Sequence, residues 1–190
     1  MFKKLLLITA LLSSVSAYAA VEKLAIDPVA SKVTYLGKKV TGSHTGEVVV
    51  QEGVLNFDAK TFKGGEFTID MTSINNSDLT DKEYNKKFVD HMNSPDLFDT
   101  ATHQTAKLVT TKVKKIKGDT YKVTGNLTIK GKTHPVKFDA TVTKDLATAV
   151  VAFDRTKYDI KYGSGKFFQG LGDKMIDDNV QLTVSLVTKK

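Results

Sequence analysis

The chain has 190 residues and a formal net charge of +7, and it contains neither cysteine nor tryptophan. The lack of cysteine excludes disulfide bonds, thiolate chemistry and thiolate metal ligands. A single arginine, the lack of a recognisable nucleic-acid motif and the export signal at the N-terminus argue against nucleic acid as a partner.

The first 19 residues predict a secretory signal peptide. Lys3 and Lys4 give a positive start, residues 5–12 form an apolar stretch too short to span a bilayer, and residues 17–19 form a small-x-small cleavage site. We expect cleavage after Ala19, export to the periplasm, and one folded domain over residues 20–190.

Alternating apolar and polar residues predict five strands in the N-terminal half. They lie at residues 24–27, 31–41, 46–51, 53–58 and 65–73. In the fifth, Phe67, Ile69 and Met71 share one phase, and polar residues occupy the other. Glycines between these segments mark turns, bulges or bends, so the spacing predicts a meander.

A change of period after residue 79 predicts one helix. Thr80 and Glu83 form a capping-box pattern, with Thr80 as the expected cap. Tyr84, Phe88 and Met92 then recur every four residues, as in a helix that packs on a hydrophobic surface. We expect this helix to close one end of the sheet.

The C-terminal half predicts five more strands, at residues 104–113, 115–129, 135–143, 147–155 and 179–188. The clearest hairpin has alternating apolar residues on both sides of Lys130, Gly131 and Lys132. The long connection 158–178 is rich in glycine and aromatic residues, and such connections are usually functional or flexible. About ten antiparallel strands fit a sandwich or a closed barrel, and we favour the barrel because closure removes exposed edges.

Few residues suggest catalytic chemistry. His44 lies between glycines that could bring it to a cavity mouth, and His91 is expected to cap the helix end or meet a carbonyl. Ser164 lies between two glycines but lacks the Gly-x-Ser-x-Gly pattern of a nucleophile turn. No histidine pair has the spacing of a helical zinc site, so we expect no metal. Phe167 and Phe168 point to opposite sides of an extended chain, which leaves one ring for a ligand, lipid or partner.

Five segments, in this order, resemble the YceI-like family of exported lipid-binding proteins: residues 36–46, 67–74, 90–99, 125–136 and 153–158. The resemblance implies an all-β fold, an extended antiparallel lipocalin-like β-barrel of about eight or more strands with one helical insertion. It also implies that the tunnel binds a long amphiphile without turnover, metal or cofactor. Tyr35 stands where relatives often carry Trp, and Asn93 replaces a frequent basic residue.

We therefore predict a periplasmic carrier or sequestering protein, not an enzyme, for a polyisoprenoid, isoprenoid quinone or fatty amide. The predicted tunnel residues are Tyr35, Phe57, Phe67, Ile69, Phe88, Met92, Phe98, Leu127, Ile129, Phe138, Phe153 and Phe168. The predicted headgroup residues are Lys39, His44 and Lys166. We also expect transient contact with a membrane surface, and pairing into a homodimer is left open. Two alternatives stay open: a small hydrolase or isomerase that acts on a lipid-like substrate through His44 or Ser164, and a stress-related interaction protein without a ligand.

Overall fold

The computed structural model describes residues 21–190, and the predicted signal peptide and its cleavage site lie outside this range. The described chain forms nine strands and one α-helix. In chain order they are β1 (Glu22–Ala25), β2 (Lys32–Lys39), β3 (Gly42–Asp58), β4 (Thr61–Asp70), α1 (Lys82–Asn93), β5 (Thr105–Lys117), β6 (Thr120–Ile129), β7 (Lys132–Val142), β8 (Leu146–Asp154) and β9 (Asn179–Val187). Short 3₁₀ turns occupy Met71–Ser73, Arg155–Tyr158 and Gly172–Lys174. None of the helices in the described range has the length and apolar character needed to cross a membrane.

Eight of the strands close into an antiparallel barrel. From β2 the order runs through β9, β8, β7, β6, β5 and β4 to β3, and β3 pairs again with β2. β1 lies outside this ring and pairs with the second half of β3. The predicted barrel is confirmed, and closure satisfies the backbone groups that the edges of a sandwich would expose.

β3 is a single long strand, so the prediction of separate strands at 46–51 and 53–58 was wrong. Its register with β4 shifts between Val50 and Glu52, which marks a β-bulge. The bulge bends the strand without ending it, and Gly53 remains paired with Phe67. The first half of β3 therefore pairs with β2, while the second half pairs with β4 and β1.

The predicted β6–β7 hairpin is confirmed, but β7 begins at Lys132, three residues before the predicted start at residue 135. Lys130 and Gly131 both have positive φ, at 48° and 68°, as a two-residue type I′ turn requires. The β5–β6 turn lies later than predicted, because Gly118 with φ 50° is followed by β6 at Thr120. The predicted boundary near residue 114 is therefore wrong by about four residues.

Helix α1 covers one end of the barrel with a cap that differs from the prediction. The Asp81 side chain accepts hydrogen bonds from the Glu83 and Tyr84 amides, both at 2.9 Å, so Asp81 and not Thr80 is the N-cap. Tyr84 is 67% exposed and turns away from the barrel, contrary to the prediction. Phe88 and Met92, from the same predicted period, reach the interior beside the apolar residues at that end.

Candidate ligand-binding channel

The barrel interior contains two apolar cavities in series. The first, here called the mouth cavity, has a volume of about 210 Å³ and lies beneath α1. The second, the inner cavity, has a volume of about 100 Å³ and lies deeper in the barrel. Four side chains line both cavities, and they are Val33, Ile69, Leu127 and Leu182. The two cavities are therefore adjacent along the barrel, and we refer to them together as the channel.

The period of the strands explains why the two cavities share one apolar wall. On β9, Val180 and Leu182 line the mouth cavity, while Leu182, Val184 and Leu186 line the inner cavity. Because every second residue of a strand faces the same side, these four side chains form one apolar row along the wall.

The channel opens between three segments: the β2–β3 turn, helix α1 and the connection from residue 159 to residue 178. Lys38 and Lys39 come from the end of β2, His91 from α1, and Tyr162 and Asp177 from the connection. A backbone bridge between Lys39 and Ile176, and a hydrogen bond from the Asp177 amide to the Lys38 carbonyl (2.8 Å), hold two of these segments together. Polar groups are thus concentrated at the mouth.

Tyr35 lines the mouth cavity as a neutral hydrogen-bond donor. Its hydroxyl donates to the Asn75 carbonyl at 2.6 Å. Burial raises the pKa of Tyr35 to about 12, and the Asp78 charge acts in the same direction. Gly46 permits this close packing, since a Cβ there would lie 2.1 Å from the Asn75 oxygen and 2.6 Å from the Tyr35 hydroxyl.

His44 is oriented at the mouth by an aspartate. Its Nδ1 lies 2.8 Å from Asp78 Oδ2, and its ring centroid lies 4.6 Å from that of Phe88. Burial tends to raise the pKa of Asp78, but hydrogen bonds from the Thr45 amide, His44 and Asn76 outweigh it and hold that pKa below its usual value. The carboxylate is therefore ionised, and its hydrogen bond with Nδ1 fixes the orientation of the ring.

Buried Arg155 holds together the connection that lies beside the mouth of the channel. It is 4% exposed, and its guanidinium donates to the carbonyls of Ile160, Tyr162, Ile176 and Asp177 at 2.7–3.2 Å. These carbonyls belong to the two ends of the connection, so one side chain holds both ends. Burial lowers the pKa of Arg155, and nearby aspartates oppose that shift.

Lys166 lies on the outer side of this arrangement. Its Nζ is 3.0 Å from Asp154 Oδ2 and 3.1 Å from Asp178 Oδ2. Burial tends to raise the pKa of Asp154, but hydrogen bonds from Thr156 and Lys166 outweigh that tendency and lower it overall. The ammonium group is thus already paired with two carboxylates.

The structure brings most of the predicted tunnel residues to the channel. The residues that line the mouth cavity are Tyr35, Ile69, Phe88, Met92, Phe98, Leu127, Ile129 and Phe153, together with Lys39 and His44. Phe67 and Phe138 line the inner cavity. Three others line neither cavity: Phe57 lies in the packed core, Phe168 is half-exposed, and Lys166 is held by carboxylates. Contact of any of these residues with a ligand stays a prediction.

The sequence prediction overlooked several residues of the site. His91 was expected to cap the helix end, but its ring lines the mouth cavity and packs edge-on against Tyr162 at 4.5 Å. The sequence analysis assigned no role to Arg155, although a single arginine in a lysine-rich chain could have marked a structural site. Ile160 and Ile176 lie in the irregular connection, where no period marks them as interior.

Ser164 is fully buried, and its hydroxyl oxygen accepts a hydrogen bond from the Lys166 amide at 3.2 Å. It therefore stabilises a turn in the connection and does not line the channel. Among residues 21–190, no three His, Asp or Glu side chains are grouped so that they could hold a metal ion.

Comparisons with known proteins agree with this geometry. BcnA of Burkholderia cenocepacia is 28% identical, with a TM-score of 0.66 over 86% of this chain and 99% of that chain. A polyisoprenoid-binding domain from Saccharophagus degradans has a TM-score of 0.63 at 14% identity, over 90% of this chain and 99% of that one, and shows the fold alone.

A UPF0312 protein of Pectobacterium atrosepticum is 35% identical over 89 residues, or 47% of this chain and 43% of the relative. The match thus covers less than half of that relative's length. The model of the YceI-like domain matches residues 24–188, so the chain belongs to the YceI-like family.

Proposed function

We propose that the protein binds one long amphiphilic lipid, a polyisoprenoid, an isoprenoid quinone or a fatty amide, and carries or sequesters it in the periplasm without chemical turnover. The tail lies in the channel, and the polar head meets the mouth. One observation supports this most directly: two apolar cavities follow each other along the barrel and share four lining residues.

The channel suits a long ligand better than a compact one. Leu186 lines its inner end and Val180 its outer part. These residues are six positions apart on β9, or about 20 Å at the rise of an extended strand. A compact ligand would fill only one cavity, whereas an extended tail contacts both.

Burial of the tail would supply most of the affinity. Each buried methylene contributes about 0.8 kcal/mol, so a long chain binds tightly without specific polar contacts. At the mouth, His44 and Lys39 line the cavity, and their polar groups would meet the head. The ligand would then be held by its length and oriented by its head.

Binding without turnover is supported by the state of the candidate nucleophile. Ser164 is buried in the connection and its oxygen accepts a backbone hydrogen bond, so a substrate in the channel does not reach it. A related fold in the polyisoprenoid-binding domain of S. degradans is consistent with a lipid ligand. The export pattern in residues 1–19 supports the periplasmic location.

The test uses bulky substitutions as a ruler inside the channel. Ala106 on β5 pairs with Ile69 near the junction of the two cavities, and Ala149 on β8 lines the inner cavity. Ala152 lies on the same strand as Ala149 but faces outward, so it provides the matched control. Each protein is purified from the exported fraction, its folding is checked by circular dichroism, and its lipids are extracted and measured by mass spectrometry.

We expect the parent protein and Ala152→Phe to carry the same lipid. Ala149→Phe should shift the recovered lipids to shorter chains, and Ala106→Phe should remove them, because it fills the junction. A folded parent protein that yields no lipid and takes up no added isoprenoid would overturn the proposal. Equal lipid content in all four proteins would show that the lipid lies elsewhere.

A further inference from the structure

The mouth of the channel is surrounded by exposed apolar side chains. Val40, Tyr162, Phe167, Phe168 and Met175 are each between 42% and 57% exposed. We call these five residues the apolar rim. Large apolar side chains that cluster on a surface usually mark a site of interaction with a partner or a membrane.

Contacts between neighbouring segments bring most of the rim residues onto adjoining parts of the surface. The Val40 amide donates to the Met175 carbonyl at 3.1 Å, which joins the β2–β3 turn to the connection. Met175 packs on Gly165, where a Cβ would lie 2.8 Å from the methionine sulfur. The amides of Phe167 and Phe168 both donate to the Ser164 carbonyl, one residue from Gly165.

The fold prevents the rim from burying itself. Arg155 holds both ends of the connection through four carbonyls, and buried Ser164 fixes the turn that carries the two phenylalanines. The backbone that carries Phe167 and Phe168 is therefore held in a conformation that leaves both rings exposed. Such exposure is unfavourable in water unless something covers the rings.

Lysines accompany the apolar rim. Lys38, Lys39 and Lys174 make no ion pair with any residue in the range 21–190. Lys161 Nζ lies 5.3 Å from the centroid of the Phe167 ring and also pairs with Asp159 Oδ1 at 2.6 Å. Aromatic rings between lysine side chains are typical of surfaces that insert into the headgroup region of a bilayer.

We propose that the apolar rim docks on the surface of an anionic phospholipid bilayer and holds the mouth of the channel against the lipid headgroups. Docking itself needs only the rim and its lysines; the purpose, passage of a lipid between bilayer and channel, rests on the proposed function. A bilayer fits better than a protein partner because a protein covering the rim would also close the mouth.

The opposite end of the barrel provides a stringent comparison. Ile116 is 50% exposed on β5, among Lys112, Lys114, Lys115 and Lys117. It therefore combines an apolar side chain with a higher local density of positive charge than the rim. Docking through this hairpin would turn the mouth away from the bilayer, so the two orientations are mutually exclusive.

The test exploits the absence of tryptophan from the chain. Phe168→Trp and Ile116→Trp each place a single fluorescent reporter, one at the rim and one at the opposite end. The full chain is expressed and exported, and vesicles of phosphatidylethanolamine and phosphatidylglycerol are added to each purified protein. We expect a blue shift of the Phe168→Trp emission, quenching of that emission by brominated lipids, and no change in Ile116→Trp.

A loss-of-function pair completes the experiment. In vesicle flotation, the double variant Phe167→Ser and Phe168→Ser should bind at least roughly tenfold more weakly than the parent protein, because two inserted rings are lost. Ile116→Ser should bind as the parent protein does. A shift in Ile116→Trp alone, loss of binding only in Ile116→Ser, or no flotation of the parent protein would each overturn the docking proposal.

Lipid extraction from the same preparations separates the two proposals. Docking with an empty channel would leave the rim assignment intact and reject the carrier. A lipid-filled channel without docking would do the reverse.

Discussion

Arg155 provides the sharpest test of how the channel rim is built. Arg155→Met keeps most of the aliphatic volume and removes the guanidinium group. Four carbonyls then lose a charged donor, and the carbonyl of Ile160 belongs to a residue only 1% exposed, where water does not replace the donor. The other three carbonyls lie in more exposed parts of the connection and regain water more easily.

The magnitude follows from these partners. An unpaired buried acceptor costs about 1–3 kcal/mol, and a hydrogen bond to a charged group contributes about 1.5–3 kcal/mol. Removal of the guanidinium group also abolishes its own desolvation cost, so we expect a net loss of about 3 kcal/mol. Arg155→Lys should lose more than half of the stability that Arg155→Met loses, because one ammonium group cannot reach both ends of the connection.

Urea unfolding followed by circular dichroism measures this loss. Lys157→Met is the matched control: it lies in the same 3₁₀ turn but is exposed, and it should stay within about 0.5 kcal/mol of the parent protein. Hydrogen exchange should also accelerate at the amides of Ser164 and Ile176, which bond within the connection. If the free energy of unfolding of Arg155→Met lies within about 1 kcal/mol of the parent value and its hydrogen exchange is unchanged, this explanation is wrong.

Three further predictions test the surrounding site. Gly46→Ala should destabilise the protein by about 1–3 kcal/mol in urea unfolding, because its Cβ would overlap the Asn75 carbonyl; parent-like stability would contradict this. The pKa of Asp154 is lower in the folded state than its unfolded value of about 3.9, so ionised Asp154 stabilises the fold above that pH, and the stabilisation is lost as the pH falls through the folded pKa. The melting temperature of Asp154→Asn should therefore depend less on pH between pH 5 and pH 2 than that of the parent protein. Parallel curves for the two proteins would contradict this prediction. In a fluorescence titration, His44→Ala and Lys39→Ala should each weaken binding of an added amphiphile by roughly tenfold at most, which is about the contribution of one hydrogen bond. Complete loss of binding would show that the polar head, not the tail, supplies the affinity.

The sequence predicted the barrel because its strands carry a strong local signal. Inward residues alternate with polar ones on β6 and β7, and Lys130 with Gly131 supplies the turn between them. Strand boundaries were less accurate where backbone irregularities carry no period. The bulge at Val50 merges two predicted strands into one, because register depends on the partner strand as well as on the sequence of β3.

The candidate site was predictable only where it lies on regular elements. Phe88 and Met92 follow the helical period and line the mouth cavity. Tyr84 follows the same period but is exposed, because only the C-terminal half of α1 lines the cavity. The roles of Arg155 and Asp78 depend on partners that are distant in sequence or lie in loops. Local patterns do not encode such partners.

Native mass spectrometry of the exported protein tests the central claim most directly, which is that the barrel encloses a channel occupied by one lipid tail. We expect the mass of the processed chain plus one non-covalently bound lipid, which is released on activation and absent from Ala106→Phe. A folded parent protein that shows only the mass of the bare polypeptide, and gains no mass when isoprenoids are added, would contradict it.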